Sequence, residues 1–284
     1  MTEILETFAT LAVLVFVIGS MFSLGLSLTM KQILDPLRNA RMVILALVAN
    51  FVLVPILAYV LALIFNLDES LRIGLILLST AAGAPFLPKL VDVAKGNIAF
   101  SVGLMVLLMV VTIIYLPIVL PLLLSDVEVN PWDIAQSLII MMLIPLAVGL
   151  FIKARYEEAA AKIQPTFGMA SNIALLTLTV LGLVLNFSSM IGLVGSLGIL
   201  AGILFILVSL VIGYLLGGSD RGDKSVMGLG TAQRNISAAL VVAAQNFSAD
   251  VITYLMVIAI IGLVVLMPAA GELGKRIKGV TEAG

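Results

Sequence analysis

Two basic side chains lie inside stretches that are otherwise apolar, and they have the most chemistry to offer. Lys89 follows the run STAAGAPFLP, and Arg234 lies within GLGTAQRNIS. A positive charge near the middle of a membrane costs about 2.5–3.5 kcal/mol on insertion scales, so it needs a partner, an aqueous cavity or a function. Because a guanidinium can match a carboxylate at two points, we predict that Arg234, together with Lys89, binds a small anion.

Each charge also has a structural alternative. Asp92 follows Lys89 at a spacing that allows an ion pair along one helix. Arg234 has no acidic neighbour in the sequence, so its alternative partners are backbone carbonyls freed where a helix is interrupted. The predicted site also contains polar side chains close to the two charges, namely Thr80, Thr231, Gln233 and Asn235.

The composition identifies the class of protein that must position these residues. Of 284 residues, 62% are hydrophobic and 11% are charged, whereas a soluble domain has about 25% charged residues. The chain is therefore predicted to be an all-α integral membrane protein, because a helix satisfies its own backbone in lipid. Cys and His are absent, and no pair of membrane aspartates is present, so we expect neither an enzyme nor a metal site.

Nine apolar stretches approach the length of about 20 residues that a membrane-spanning helix needs. They are predicted near residues 4–29, 42–65, 71–95, 97–124, 132–153, 166–187, 190–217, 225–246 and 250–270. The connections are too short for separate domains, so residues 1–284 form one transmembrane domain. Lys and Arg concentrate in alternate connections, which marks the cytoplasmic side. We therefore expect a multi-pass protein of the inner (plasma) membrane, with its N-terminus outside and its C-terminus in the cytoplasm.

The third and eighth predicted spans are interrupted. Gly83, Pro85 and Pro88 should break the third, since a proline inside a helix costs about 3 kcal/mol. Gly228 and Gly230 should break the eighth, although kinks without function are common in membrane helices. The two spans run in opposite directions, as expected of inverted repeats in which a pair of discontinuous helices marks a midplane binding site.

Three stretches carry a likeness to a known family: MFSLGLSLTMKQILDPLRNARMVILALVANFVLVPILAYVLA, AKGNIAFSV and QRNISAALVVAA. They resemble the bile acid:sodium symporter family, and the resemblance covers essentially the whole chain. It implies a core domain with two crossing discontinuous helices, and a panel domain that moves against the core. The core would comprise about residues 42–124 and 190–270, and the panel about 4–29 and 132–187. Asn50 and Ser101 are implied to lie near the crossing point.

The sequence departs from the family at the positions implied to bind sodium. The family's Glu falls on Gly230, its Ser-Asn pair falls on Leu87 and Pro88, and a Gln becomes Arg234. Sodium, like other hard cations, needs several oxygen ligands, so two bound sodium ions are not expected, and no other cofactor is implied. Lys89 and Arg234 lie next to the lost ligands, which predicts that fixed side-chain charges replace the bound cations.

The resemblance and the two charges together predict a secondary transporter of a small, carboxylate-like organic anion that works by alternating access without sodium. Exchange, facilitated diffusion and proton coupling stay open. The alternatives are a sodium-coupled organic anion symporter, an anion pore, and a membrane sensor or scaffold without transport. The expected partners are the anion and the lipid bilayer, with no nucleic acid, in a monomer or a homodimer.

Overall fold

Helices form the regular structure of residues 2–124, 130–185 and 196–281, which the computed structural model describes. Two of these helices contain a π-helical turn, one at Ala49–Leu53 and the other at Ile139–Leu143. In chain order the helices are α1 (Thr2–Ser27), α2 (Met30–Leu34), α3 (Ala40–Ile64), α4 (Glu69–Thr80), α5 (Leu87–Val93), α6 (Ile98–Leu123), α7 (Pro131–Arg155), α8 (Glu157–Leu185), α9 (Leu197–Leu216), α10 (Arg221–Ala232), α11 (Ile236–Asn246) and α12 (Ala249–Thr281).

Five of the described helices are long and apolar enough to cross a bilayer, namely α3, α6, α7, α9 and α12. A sixth candidate is bent by 98° where α1 leads into the short segment Met30–Arg38. These helices establish a multi-pass membrane protein. The predicted count of nine spans is not tested by helix length and composition alone.

Two predicted helix limits were wrong in the same way. Helix α8 begins at Glu157, not near residue 166, and α12 continues to Thr281, beyond residue 270. In both cases the helix extends past its apolar part into a charged segment, because hydropathy reports the lipid-facing length and not the helical one. The predicted start of a span at residue 190 lies outside the described residues.

Helices α1, α7 and α8 pack closely together. Gly25 of α1 faces Gly149 of α7, where an added Cβ on Gly149 would lie 2.6 Å from the Phe22 carbonyl oxygen. Ser171 of α8 donates a hydrogen bond to the Phe16 carbonyl of α1 at 3.0 Å. Small residues at such contacts let membrane helices approach backbone to backbone. These three helices coincide with the panel domain implied by the resemblance, although the division into two domains stays a prediction.

Substitution of Gly149 by leucine should lower the thermal stability of the protein. The new side chain would meet the backbone of α1, so the helices must separate, at a cost of about 1–3 kcal/mol. The matched control is Gly271→Leu in α12, where an added Cβ has no atom within 4 Å. Thermal unfolding of both purified variants is the measurement. An equal midpoint for both variants would contradict the proposed close contact.

Candidate functional site

The first interruption lies between α4 and α5 and is held open by α6. Gly83 has a φ of 79°, which favours glycine, and a side chain there would collide with the backbone of Met109. The hydroxyl of Thr112 accepts a hydrogen bond from the backbone N–H of Ala82 at 2.9 Å and donates one to the Ala82 carbonyl at 3.1 Å. The backbone exposed by the break is thus satisfied inside the protein, as membrane depth requires.

The second interruption, between α10 and α11, is bonded directly to the first. The side-chain oxygen of Asn235 caps α11 by accepting a hydrogen bond from the backbone N–H of Ala238 at 3.1 Å. The backbone N–H of Asn235 donates to the Ala81 carbonyl at 2.9 Å, and its amide Nδ2 donates to the Gly83 carbonyl at 3.0 Å. One asparagine therefore joins the two breaks through both its backbone and its side chain.

Arg234 lies at this junction and is 5% exposed. Its Nε donates to the Leu78 carbonyl at 3.0 Å, and its Nη2 donates to the Ser79 carbonyl at 2.7 Å. Its Nη1 donates to the Thr231 carbonyl at 3.1 Å and to Asn50 Oδ1 at 2.7 Å. Leu78 and Ser79 belong to the last turn of α4, and Thr231 belongs to that of α10. The guanidinium therefore binds the negative ends of two half-helices.

Asn50 is held in place by the π-helical turn of α3. Its Nδ2 donates to the Ala46 carbonyl at 3.0 Å and to Thr231 Oγ1 at 3.3 Å, which turns its oxygen toward Arg234. A π-helical turn leaves carbonyls without their usual α-helical partners, and the Tyr115 hydroxyl donates to one of them, on Phe51, at 2.6 Å.

The charge of Arg234 has no counter-charge in the described part of the chain, where no carboxylate lies within ion-pair distance of it. All its acceptors are neutral oxygens. The structural alternative raised from the sequence, that Arg234 binds carbonyls freed by a break, is confirmed. The carbonyls stabilise the cation through their dipoles, but the site keeps a net positive charge.

A cavity of about 370 Å³ opens beside Arg234. It lies between α1 and α8 on one side and both breaks, α11 and α12 on the other. Its lining residues are Phe16, Ser20, Ala84, Pro85, Phe86, Ser171, Asn172, Leu175, Gln233, Arg234, Ile236, Ser237, Leu240, Met256, Ala259, Ile260 and Leu263. Most of the wall is apolar, and Arg234 is its one charged residue among those described.

The predicted uncharged site residues and Arg234 fall into three groups. Gln233 and Arg234 line the cavity, whereas Asn50, Thr231 and Asn235 hold Arg234 and the breaks in place from behind. Two further predicted residues make only local bonds within their own helices: Thr80 donates to the carbonyls of Ile76 and Leu77, and Ser101 donates to that of Ile98.

Lys89 does not line the cavity, and its side chain makes no described hydrogen bond or ion pair with the residues around Arg234. Its side chain is exposed on α5, and it lines neither the large cavity nor the small one beside Arg234. The alternative pairing of Lys89 with Asp92 is also not formed among the described ion pairs. The two charges that the sequence placed together therefore differ in setting: Lys89 lies within α5 with its side chain exposed, whereas Arg234 lies within the second break and is buried.

Three of the five predicted helix-breaking residues lie inside helices. Pro88 is in the first turn of α5, where a proline costs little because the first N–H groups of a helix have no partner. Gly228 and Gly230 are inside α10; Gly228 faces the Leu210 carbonyl of α9, and Gly230 faces Leu87. These glycines serve close packing. The actual breaks contain Gly83 and Pro85 in one case and residues 233–235 in the other.

Sequence reasoning missed several polar residues of the site. Thr112 and Tyr115 bond the backbone at the first break and at the π-helical turn. Asn172 and Ser237 line the cavity, and the described structure gives neither side chain a hydrogen-bond partner. A hydroxyl in the middle of a long apolar helix was the available signal for Thr112, since such a group needs an internal partner in lipid.

A family model described as "Sodium Bile acid symporter family" matches residues 12–193. The matched segment includes the first break and ends before the second. The residues that line the cavity therefore come from both inside and outside the matched segment. The same is true of the residues that accept hydrogen bonds from Arg234, which itself lies outside it.

Three curated relatives illustrate the likeness. The chain is 24% identical to the "Uncharacterized sodium-dependent transporter YocS" of Bacillus subtilis over 159 residues, 56% of this chain and 50% of the relative. It is 28% identical over 153 residues to the "Probable sodium/metabolite cotransporter BASS2, chloroplastic" of Oryza sativa subsp. japonica, which covers 52% of this chain and 36% of the relative. It is 22% identical over 251 residues to the "Sodium-dependent organic anion transporter" of Mus musculus, 83% of this chain and 65% of the relative. The matches thus span half or less of the length of the first two relatives.

Proposed function

This chain belongs to the sodium bile acid symporter family, and from that premise we propose that it is a secondary transporter of a small organic anion. The proposal places nine spans in the inner (plasma) membrane: α1, α3, α4 with α5, α6, α7, α8, α9, α10 with α11, and α12. The N-terminus is outside and the C-terminus is cytoplasmic, following the alternation of Lys and Arg between connections.

The observation that carries this proposal is the cavity of about 370 Å³ beside Arg234. Its volume is within the range of about 300–1,000 Å³ that is typical of small-molecule sites. An uncompensated positive charge in a mostly apolar wall favours a ligand that has one negative group and an apolar body. A carboxylate on a small hydrocarbon frame has that chemistry.

Direct hydrogen bonds to the anion would come from neighbours of Arg234. The side chains of Gln233, Ser237 and Asn172 line the cavity, and the described structure gives none of them a protein partner. The first turn of α11 also borders the cavity, and the N-terminal end of a helix attracts negative charge. The sequence-based expectation of a two-point contact with Arg234 is therefore modified, since four of its N–H groups bond the protein and its charge acts mainly through its field.

The position of the cavity fits alternating access. Helices α1 and α8 form one wall, and the two breaks with α11 and α12 form the other. If the three packed helices α1, α7 and α8 move as a panel against the remaining helices, this boundary is where a substrate would be exposed to each side in turn. Binding at the interface between moving parts is a common arrangement in secondary transporters.

The guanidinium of Arg234 supports transport without sodium. It donates to carbonyls at the C-terminal ends of α4 and α10, and in other transporters such half-helix ends coordinate the coupling cation. The guanidinium, which is covalently attached to the protein, then permanently occupies the carbonyl oxygens that a sodium ion would coordinate only while it is bound. Lys89, which is exposed, has no part in this replacement.

A fixed charge at the site also favours exchange over net flux. The loaded carrier would be electrically neutral at Arg234, whereas the empty carrier would have an unpaired positive charge at membrane depth, which is costly. The carrier therefore returns more readily with an anion bound. Exchange of one anion for another is accordingly the mode that we propose.

Binding of organic anions should be insensitive to replacement of sodium by potassium or choline. The reason is that the carbonyl oxygens at the junction are already occupied by Arg234. Thermal shifts of the purified protein with a panel of small carboxylates, measured in each of the three salts, test this, and proteoliposome exchange with labelled carboxylate tests transport.

Saturable sodium dependence would instead support a sodium-coupled symporter; the relatives from Bacillus subtilis and Mus musculus are named sodium-dependent transporters. Flux that does not saturate would indicate an anion pore. Carboxylate-induced stabilisation without any flux would indicate a sensor.

A further inference from the structure

A second, much smaller cavity adjoins the second break on the side of α9 and α12. Its volume is about 20 Å³, which is room for one water-sized particle. Among its lining residues only Gln233 and Arg234 have polar side chains, and the other side chains are apolar. It shares four lining residues with the large cavity, namely Gln233, Arg234, Ile236 and Ala259, but includes Phe205 and Gly262, which the large cavity does not.

The polar groups of this small cavity have hydrogen-bond donors to spare. A guanidinium has five N–H bonds, and four of those on Arg234 point at protein oxygens. The fifth, on Nη2, has no protein acceptor in the described structure, although the side chain is 5% exposed. The side-chain amide of Gln233 likewise forms no hydrogen bond with a described protein group. A buried, positively charged donor therefore borders a cavity that has room for one small acceptor.

We propose that this small cavity binds a single halide ion, held by Arg234 and Gln233. Chloride is only slightly larger than water and accepts hydrogen bonds from several directions, whereas a carboxylate or a phosphate is too large for the space. A neutral water molecule would satisfy the donors but would leave the charge of Arg234 uncompensated. This site adjoins the proposed substrate cavity across Gln233 and Arg234, so a bound halide and a bound carboxylate would both interact with the charge of Arg234.

Thermal unfolding of the full-length purified protein tests the halide site. Sodium sulfate, whose anion is not a carboxylate and is too large for the small cavity, is replaced stepwise by sodium chloride or sodium bromide at constant ionic strength. The wild-type protein should show a saturable rise in its unfolding midpoint with either halide. Gly262→Val should abolish that rise, because Gly262 lines the small cavity opposite Ile206 and the added side chain would occupy its volume. Gly271→Val, in open space on the same helix, should retain the rise.

Two results would overturn the halide site: a wild-type midpoint that does not respond to halide, which leaves water as the occupant, or a halide response that survives in Gly262→Val. Gly262→Ala adds only a methyl group at ordinary contact distance from Ile206, so it should fold and should show a weaker halide response than the wild-type protein. It replaces Gly262→Val in the test if the valine variant does not fold. Stabilisation by small carboxylates should persist in the Gly262 variants. Loss of the halide response alone therefore identifies the small cavity, whereas absence of any carboxylate response in all proteins contradicts only the proposed transport function.

Discussion

Arg234→Gln should lower the affinity for small carboxylates by at least about tenfold, equivalent to about 1.4 kcal/mol, and should destabilise the fold. The substitution removes the charge of Arg234, the one charged residue among those described in the wall of the large cavity. It also removes the donors to Leu78, Ser79 and Asn50. Each buried acceptor left unpaired costs about 1–3 kcal/mol. Carboxylate-induced thermal shifts and the unfolding midpoint without ligand measure the two effects separately.

The same variant should acquire a response to sodium that the wild-type protein lacks. Without the guanidinium, the carbonyls of Leu78, Ser79 and Thr231 and the oxygen of Asn50 surround a space with oxygen ligands suited to a hard cation. We expect the unfolding midpoint of Arg234→Gln to be higher in sodium than in choline. Arg234→Lys should impair carboxylate binding less than the glutamine variant, since it keeps the charge but not the four-way contact.

Arg221→Gln is the matched control for these effects. Arg221 also donates to a backbone carbonyl, that of Arg276 at 2.7 Å, but it lies on an exposed surface away from the cavity. It should leave carboxylate binding and the sodium response unchanged. Unaltered carboxylate binding in Arg234→Gln would show that this charge does not attract the substrate.

The helical class and the location of the two interrupted segments were predictable from the sequence because both follow from local composition. A membrane-spanning helix needs a long apolar run. Gly83 and Pro85 disfavour a continuous helix, and the helix ends at Thr80, just before them. The second break was placed too early, at Gly228 and Gly230, because a glycine inside a helix and a glycine at its end look alike in one sequence. Only contacts with Leu210 and Leu87 distinguish the two uses.

The roles of Lys89 and Arg234 could not be predicted, because each role depends on where the side chain points as well as on how deep the residue lies in the membrane. Lys89 follows the first break and Arg234 lies within the second, yet the side chain of Lys89 on α5 is exposed and that of Arg234 is buried. Asn50 was implied only by resemblance, and its orientation toward Arg234 comes from a π-helical turn that no residue pattern in the sequence announces.

Asn50→Asp should abolish the carboxylate response while Arg234 stays in place. The substitution changes almost no volume, but it puts a negative charge on the atom that now accepts from Arg234 Nη1 at 2.7 Å. The resulting ion pair neutralises the guanidinium, so the cavity loses its attraction for anions, and we expect a loss of affinity of about tenfold or more. Carboxylate-induced thermal shifts and exchange in proteoliposomes measure it.

Asn246→Asp is the control that makes this test specific. Asn246 Nδ2 donates to the carbonyl four residues earlier, on Val242, at 2.9 Å, as Asn50 Nδ2 does to Ala46 at 3.0 Å, but no arginine accompanies it. Both variants therefore lose the amide donor to the carbonyl four residues earlier. Asn50→Asp also loses the donor to Thr231 Oγ1, but the Thr231 hydroxyl can donate to the new carboxylate instead, and only Asn50→Asp acts on the charge of Arg234. Equal loss of carboxylate binding in both would attribute the effect to the helix bond, whereas loss in Asn50→Asp alone shows that the unpaired charge is what attracts the anion.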